Sequence, residues 1–274
     1  MPSLKNLTDE MLRLDYGRTA EEVEKFIKSV VWSAGASGVV VGLSGGVDSS
    51  AVAALCTRAL KAERVLGVIM PAEFTPAQDV EDAENLAETL GVRTVKAPIK
   101  PVVDSFAKQL GVDTSDASAR MALANLRARV RMSILYFHAN MHNLLVAGTG
   151  DRSELLLGYY TKYGDAGVDF LPVVGIYKTQ LRHLSKHLGI PENIAFKPSS
   201  PQLYPGHRAV DELPADYDLL DPLLYALFDK AMKIEQVVEM GVDRRLVEEL
   251  LQRYDRSRHK REMPPAGPRP IPLP

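Results

Sequence analysis

The sequence predicts an α/β protein with a doubly wound, mostly parallel sheet flanked by helices. Short apolar runs alternate with helical patterns of ten or more residues, as in parallel sheets whose strands are joined by crossover helices. The run 39–43 is almost continuously apolar, as expected of a strand covered on both faces. Glycine-containing loops follow two of the predicted strands, and ligands bind beyond the carboxyl ends of strands in such sheets.

The first helix is predicted within residues 8–33, because Val23, Phe26, Ile27 and Val30 share one helical face. Strands are predicted at 39–43, 64–69, 94–97 and 144–147, and further helices at 50–61, 75–90, 118–141 and 177–188. The pair Thr75-Pro76 is typical of a helix start.

The alternation fades after about residue 172. Residues 197–221 are polar and interrupted by prolines, which predicts a loop, and 223–254 is helical in pattern. Residues 263–274 are too rich in proline for regular helix or strand. We therefore predict one domain over residues 1–262, followed by a proline-rich tail at 263–274.

Composition limits the classes of function. The 274 residues are 46% hydrophobic, which is enough for one sizeable core. The net charge of -2 gives no bulk attraction to nucleic acid or to an anionic membrane, so neither partner is predicted. No apolar run is long enough to span a membrane, and residues 1–10 lack the layout of a secretory signal. The single cysteine, Cys56, excludes an internal disulfide. These features predict a cytoplasmic enzyme or binding protein.

The loop after the first strand reads Ser44-Gly45-Gly46-Val47-Asp48-Ser49. Two glycines allow a tight turn, and the free N–H groups at the start of the next helix favour an anion such as phosphate. Asp48 would repel that phosphate, so the sequence predicts a bridging Mg²⁺. The alternative is an ordinary tight turn capped by a serine. The loop resembles the pyrophosphate-binding loop of the ATP pyrophosphatase superfamily, whose members form adenylates on a Rossmann-like fold.

A second glycine-containing loop follows the fourth strand, at 148–154. Thr149 lies at the strand end, and Glu154 lies one turn into the next helix, where it can complete a magnesium site with Asp48. Lys162 and Asp169 flank a glycine-containing turn that suits a hydrogen-bonded ligand. Taken singly, Glu154 and Lys162 are more typical of a solvated helix face than of a binding site.

Several segments together resemble NAD synthetase. They are 148–169, which reads GTGDRSELLLGYYTKYGDAGVD, the upstream run 125–132, and the shorter matches at 177–180, 197–200, 211–213 and 259–261. The resemblance covers residues 8–265. Enzymes of that family convert deamido-NAD (nicotinic acid adenine dinucleotide) into NAD, using ATP, Mg²⁺ and a nitrogen source, and they form homodimers.

The resemblance implies a role for each matching residue. The expected ATP contacts are Gly42, Leu43, Ser44, Gly45, Gly46, Val47, Asp48, Ser49, Thr149, Lys178 and Ser200. The expected Mg²⁺ ligands are Asp48 and Glu154. The expected contacts to deamido-NAD are Arg129, Lys162, Asp169, His259 and Lys260.

Asp48, Asp165 and Lys178 are the predicted catalytic residues. Asp165 would accept the proton that ammonium loses, although its position between glycine-like residues is equally typical of a turn. Arg129 has an alternative role as the cap of a neighbouring strand loop.

The synthetase motifs fill the chain and leave no room for a glutaminase domain. Free ammonia is therefore the predicted nitrogen source, and a separate glutaminase partner is the alternative. Two other functions stay open: another adenylate-forming enzyme, such as a tRNA-modifying thiolase, and a non-catalytic nucleotide sensor. A thiolase needs reactive cysteines, whereas Cys56 lies among alanines and is predicted to be in the core.

Overall fold

The computed structural model describes residues 3–267, and its centre is a sheet of four parallel strands. The strands are β1 (Gly38–Leu43), β2 (Val65–Ile69), β3 (Arg93–Lys96) and β4 (Leu144–Val146). They lie in the order β3-β2-β1-β4, and Val39 of β1 stands opposite Val65 on one side and Leu145 on the other. The predicted α/β fold with a parallel sheet is confirmed.

Helices precede, connect and follow the strands. They are α1 (Leu4–Leu12), α2 (Tyr16–Ser33), α3 (Val47–Leu60), α4 (Ala77–Leu90), α5 (Lys100–Gln109), α6 (Arg120–His142), α7 (Arg152–Leu157), α8 (Lys178–His187), α9 (Glu192–Ala195), α10 (Tyr217–Leu224), α11 (Ile234–Val238), α12 (Arg244–Arg256) and α13 (Arg258–Arg261). None of those helices has the length and apolar character needed to cross a lipid bilayer.

The two faces of the sheet are covered by different helices. Successive strand residues point to opposite faces, so Val39 and Val41 pack against one side and Val40 against the other. The first side holds α2, α3, α4 and α8, and the second holds α5 and α6. This burial on both faces explains why β1 and β2 are almost entirely apolar.

A further apolar cluster joins the two ends of the chain. It contains buried residues of α1, including Leu7 and Met11, packed with residues of α7, α10 and α12. The predicted helix at 8–33 is therefore wrong as one element: α1 belongs to this cluster, whereas α2 packs on the sheet. The chain breaks between them, and Asp15 caps α2 by accepting a hydrogen bond from the N–H of Arg18 at 2.9 Å.

Other differences from the prediction are local. Helix α5 was not predicted, although Pro101 stands near its start and its apolar positions have helical spacing. The predicted loop at 197–221 ends at Tyr217, where α10 begins, and the helical region 223–254 is interrupted between α10, α11 and α12. Helix α4 begins at Ala77, with Pro76 at the cap position. The predicted tail lies partly outside the described residues, and 263–267 are in neither helix nor strand.

The strand order places the site. After β1 the chain crosses over to β2 on one side, whereas β4 pairs with β1 on the other side. The loops that leave the carboxyl ends of β1 and β4 therefore diverge and form a crevice between them.

Candidate active site

A cleft of about 670 Å³ opens at the carboxyl ends of β1 and β4. Both glycine-containing loops line it, together with one side of α6 and the segment 158–168. The segments 69–80 and 197–217 form further walls. The cleft therefore lies where the sequence predicts a ligand.

The loop 44–49 has the backbone of an anion-binding turn. Gly45 has a φ of +75°, and a Cβ at this position would lie 2.1 Å from the carbonyl oxygen of Asp79, so only glycine fits. Gly46 is the N-cap of α3, whose first N–H groups have no acceptor within the helix. Ser44 and Ser49 hold the turn together, because their hydroxyl oxygens lie 3.0 Å apart and the N–H of Ser44 donates to Oγ of Ser49.

Lys178 connects the two glycine-containing loops. Its ammonium nitrogen lies 2.6 Å from Oδ1 of Asp48, 2.9 Å from Oε1 of Glu154 and 3.0 Å from Oδ2 of Asp151. Lys178 and Asp151 are fully buried, whereas Asp48 and Glu154 also border the cleft. Three carboxylates thus surround one ammonium group, and the net charge of the fully ionised cluster is -2.

The protonation of this cluster follows from burial and charge. Burial alone would lower the pKa of Lys178, but the charges of Asp151, Asp48 and Glu154 outweigh it and raise the pKa. Burial raises the pKa of Asp151 and of Glu154, and the charge of Lys178 opposes this rise. Lys178 therefore keeps its proton, whereas burial favours a proton on Asp151 and on Glu154 and so reduces the negative charge of the cluster.

Asp151 also fixes the start of α7. Its Oδ1 accepts the N–H of Glu154 at 2.8 Å, and Oε2 of Glu154 accepts the N–H of Asp151 at 3.3 Å. This reciprocal pair is a capping box. The cap orients the carboxylate of Glu154 toward Lys178 and the cleft.

Asp221 of α10 connects the starts of α7 and α8 through hydrogen bonds. Its carboxylate accepts hydrogen bonds from the hydroxyl of Ser153 at 2.6 Å and from the N–H and hydroxyl of Thr179, both at 2.8 Å. The hydroxyl oxygen of Ser153 in turn accepts the N–H of Lys178 at 2.9 Å. One buried acid thus holds the backbone on which Glu154 and Lys178 are placed.

The sequence is similar to known proteins over nearly the whole chain. Residues 19–264 match the family model described as NAD synthase. The NH(3)-dependent NAD(+) synthetase of Hyperthermus butylicus is 53% identical over 260 residues, which are 94% of this chain and 93% of that protein.

The chain belongs to the NAD synthase family.

Other members of the NAD synthase family and solved structures agree with that placement. The NH(3)-dependent NAD(+) synthetase of Archaeoglobus fulgidus is 45% identical over 93% of this chain and 98% of its own. The NH3-dependent NAD synthetase of Campylobacter jejuni superposes with a TM-score of 0.76 at 32% identity, covering 93% of this chain and all of that one. The NMN synthetase of Francisella tularensis superposes with a TM-score of 0.81 at 28% identity, covering 93% and 99% of the two chains.

Most of the predicted ATP contacts lie on the cleft of this NAD synthase family member. They are Gly42, Leu43, Ser44, Gly46, Val47, Asp48, Ser49, Thr149 and Ser200. Gly45 and the fully buried Lys178 are the two exceptions. Gly45 packs closely against α4, and its carbonyl oxygen accepts a hydrogen bond from Lys197 at 2.9 Å. Lys178 reaches the cleft through its contacts with Asp48 and Glu154.

Asp165 and Lys260 also line the cleft. The carboxylate of Asp165 accepts the N–H of Thr161 at 2.8 Å, and the ammonium group of Lys260 donates to the carbonyl oxygens of Gly158 and Tyr160, both at 2.7 Å. Asp165 has surface accessible to the cleft, yet protein atoms crowd it enough that desolvation raises its pKa. A carboxylate with a raised pKa suits proton transfer.

Four predicted substrate contacts lie outside the cleft lining. Arg129 donates to the carbonyl oxygen of Lys162 at 3.3 Å, and the ammonium group of Lys162 donates to the carbonyl oxygen of His259, so these three form one surface cluster. Asp169 secures the neighbouring strand instead: it accepts the N–H of Val146 at 2.7 Å and the hydroxyl of Tyr136 at 3.0 Å. Their contact with the dinucleotide stays a prediction.

Sequence reasoning missed several residues of the site. Asp151 was readable as a helix cap, since an acid three residues before Glu154 is a capping-box pattern. Lys197 contacts the carboxylates of Asp79 and Asp82 as well as Gly45, and nothing in its local sequence indicates these partners. Tyr217 places its ring 5.4 Å from the ammonium of Lys178, a long-range contact without a sequence signal.

A second network of contacts, which sequence reasoning did not predict, holds the segment 197–217 in place. His207 is buried, stacks on Tyr204 with ring centroids 3.9 Å apart, and lies 3.1 Å from the carboxylate of Glu212. Its backbone carbonyl accepts the hydroxyl of Ser200. This network fixes Ser200 at the wall of the cleft.

Proposed function

We propose that the protein is an ammonia-dependent NAD synthetase. It uses ATP to convert the nicotinate carboxylate of deamido-NAD into the amide of NAD, and it releases AMP and pyrophosphate. The observation that carries the proposal is the Lys178 cluster, which joins Asp48 of the phosphate loop to Glu154 of the second loop at one cleft. The curated relatives with the name NH(3)-dependent NAD(+) synthetase support it.

The chemistry explains the two-loop site. A carboxylate is a poor acyl donor, because its leaving group would be oxide. When its oxygen attacks the α-phosphorus of ATP, pyrophosphate leaves and an acyl-adenylate forms. Ammonia then adds to the activated carbonyl carbon and AMP leaves. Both organic substrates are anionic, and the cation Lys260 on the cleft lining offsets part of their repulsion.

The carboxylates of Asp48 and Glu154 fit Mg²⁺ by their chemistry. Both are hard oxygen donors that border the cleft. Within residues 3–267, no group of three or more acidic, histidine or cysteine side chains is arranged around a metal position. We therefore propose Asp48 and Glu154 as the protein's ligands, with phosphate oxygens completing the shell. A bound Mg²⁺ would neutralise charge that develops on the pyrophosphate.

Asp165 is the proposed proton acceptor for ammonium. Its carboxylate lies on the cleft near the charges of Lys260 and Arg131, and desolvation raises its pKa, so it binds a proton more readily than a solvated aspartate. We expect Asp165→Asn to slow amide formation strongly while adenylate formation and pyrophosphate release continue. Quenched-flow measurement of the two products separates the steps, and equal slowing of both would contradict this role.

We propose that the protein is a homodimer. Exposed apolar side chains form stripes on two neighbouring helices: Val102 and Phe106 on α5 with Leu110 at its C-cap, and Phe137 and Met141 on α6. Stripes of this kind are typical of contact surfaces between subunits. Light scattering should give twice the chain mass, and Phe137→Glu should produce a monomer. A monomeric wild-type protein would refute this part of the proposal.

The location in the cell stays a prediction. The buried Cys56 cannot form an internal disulfide, because it is the only cysteine of the sequence. This is consistent with the proposed cytoplasmic location.

The central experiment measures pyrophosphate release with ATP, Mg²⁺ and ammonium, with and without deamido-NAD. We expect release to depend on the dinucleotide and NAD to form in equal amount. Nicotinate mononucleotide serves as a second acceptor, because a structural relative is an NMN synthetase. Pyrophosphate release that ignores deamido-NAD would refute the proposal, and a preference for the mononucleotide would change the substrate. Replacing ammonium with glutamine tests the nitrogen source.

The two rival functions make different predictions. Burial raises the pKa of the Cys56 thiol to about 12, so this cysteine is not a reactive nucleophile for thiolation. A nucleotide sensor needs no turnover, and its Asp48→Ala variant should still bind ATP. For the synthetase we expect Asp48→Ala to abolish turnover, and a wild-type protein that binds ATP without any turnover would favour the sensor.

A further inference from the structure

Three arginines of α6 use their guanidinium groups in different ways. Arg127 donates hydrogen bonds to protein acceptors from both of its terminal nitrogens, and Arg129 does so from one. Arg131 instead donates only from Nε, to the carbonyl oxygen of Met70 at 3.1 Å. Its two terminal nitrogens donate to no acceptor within residues 3–267, and Arg131 makes no ion pair with them. Arg131 therefore keeps its paired terminal donors for another partner.

The terminal nitrogens of Arg131 are accessible from the cleft. Arg131 is partly buried and lies on the side of α6 that lines the cleft, one turn after Ala128 and next to Met132. Among the described residues, several side chains have a polar atom that is buried without a partner, but the terminal nitrogens of Arg131 are not among these atoms. The bond from Nε to Met70 anchors the guanidinium group beside the carboxyl end of β2.

The surrounding protein does not compensate the charge of Arg131. Desolvation and the like charge of Arg127 lower the pKa of Arg131 to about 10. The carboxylates of Asp165 and Glu73 oppose this shift only in part, because neither forms an ion pair with Arg131. The guanidinium group still carries its charge at neutral pH. An anion that enters the cleft would supply both the missing acceptors and the missing countercharge.

We propose that Arg131 binds an anionic group of a substrate through its two terminal nitrogens. The group is a phosphate of ATP or the carboxylate of deamido-NAD, since both present a pair of oxygens that fits the planar guanidinium fork. The proposal rests on the proposed function for the identity of these two substrates. The charge of Asp165, the proposed proton acceptor, acts on Arg131, so the bound anion lies in the part of the cleft where the amide forms.

The test compares two charged ligands with their uncharged counterparts in the wild type and in Arg131→Met. ATP with Mg²⁺ is compared with adenosine, and deamido-NAD is compared with NAD, whose amide replaces the carboxylate. Titration calorimetry, with competition for the weak ligands, gives each dissociation constant without turnover. We expect the preference for the charged member of one pair to fall at least about tenfold in the variant. A fall in the ATP pair identifies a phosphate as the anion, and a fall in the dinucleotide pair identifies the carboxylate.

If neither preference changes, the proposal is overturned, even where all affinities fall together, because a uniform loss indicates a change in the shape of the cleft. Arg245→Met is the matched control, since Arg245 is exposed on α12 outside the cleft lining. An equal fall in this control would also overturn the proposal.

If Arg131→Met does not fold, Arg131→Lys decides, because lysine keeps the charge but not the paired donors. We expect a fall of about threefold in the same preference, and an unchanged preference would overturn the proposal. Since only binding is measured, a protein that shows this contact but forms no NAD would refute the proposed function and leave the anion site of Arg131 standing.

Discussion

Replacing Asp221 with asparagine isolates the effect of one buried charge. Asp221 is fully buried and accepts three hydrogen bonds, from Ser153 and from the N–H and hydroxyl of Thr179. Desolvation nevertheless raises its pKa from 3.8 to about 7. The side chain of asparagine has the same shape, keeps a carbonyl oxygen for the N–H of Thr179, and has no charge to titrate. The pH dependence of stability should therefore differ between the two proteins.

The sign of the effect follows from the direction of the shift. Between pH 3.8 and about 7 the folded wild type holds a proton on Asp221 that the unfolded chain releases, so folding is favoured at low pH and this advantage disappears as the pH rises through 7. From pH 5 to pH 8, a pKa of about 7 implies a loss of about 2.5 kcal/mol in the free energy of unfolding. Asp221→Asn avoids this loss.

Urea unfolding of both proteins at several pH values between 5 and 8 provides the measurement. Groups that titrate equally in wild type and variant cancel in the difference between their free energies of unfolding. We expect the wild type to lose about 2.5 kcal/mol relative to Asp221→Asn over this range. A difference that stays constant within about 0.5 kcal/mol would refute the reasoning, because it would mean that burial does not raise the pKa of Asp221.

Two further predictions concern the phosphate loop. Gly45→Ala should destabilise the protein by about 2 kcal/mol or more and raise the KM for ATP, because the added Cβ would clash with the carbonyl oxygen of Asp79. The control is Gly175→Ala, whose Cβ meets no atom within 4 Å. This control should change the free energy of unfolding by less than about 0.5 kcal/mol. Lys197→Met should raise the KM for ATP more than it lowers kcat, because Asp79, Asp82 and the carbonyl oxygen of Gly45 lose the hydrogen-bond donor that they share. Lys197→Arg keeps a charged donor and should restore part of the affinity for ATP. Denaturation and steady-state kinetics check both, and an unchanged KM would contradict them.

The sequence was most informative about the sheet and the loops that leave it. Strands buried on both faces have a distinctive apolar pattern, and the carboxyl ends of parallel strands meet at one edge, so Asp48 and Glu154 were expected to converge. The structure brings both onto the ammonium group of Lys178. This convergence was predictable because it depends on topology, and topology follows from the alternation of strands and helices.

The parts that sequence reasoning missed depend on contacts between distant segments. Asp221 lies 42 residues after Thr179, and only the packing of α10 against α7 and α8 brings the two together. Lys197 meets Asp79 across 118 positions of the chain. Periodicity describes which side of an element is buried, but it carries no information on which polar groups meet there. A buried acid or lysine can therefore be recognised only from the folded chain.

The acids of the site fall into two pairs with different structural roles. Asp221 and Asp151 satisfy backbone N–H groups at the starts of α7 and α8, so they hold the frame in place. Asp48 and Glu154 border the cleft and pair with the ammonium group of Lys178. Because separate groups fix the frame, the starts of α7 and α8 do not depend on the ion pairs of Asp48 and Glu154. Under the proposed function, these two cleft carboxylates are the acids that meet the substrates, and the buried pair Asp151 and Asp221 keeps them in position.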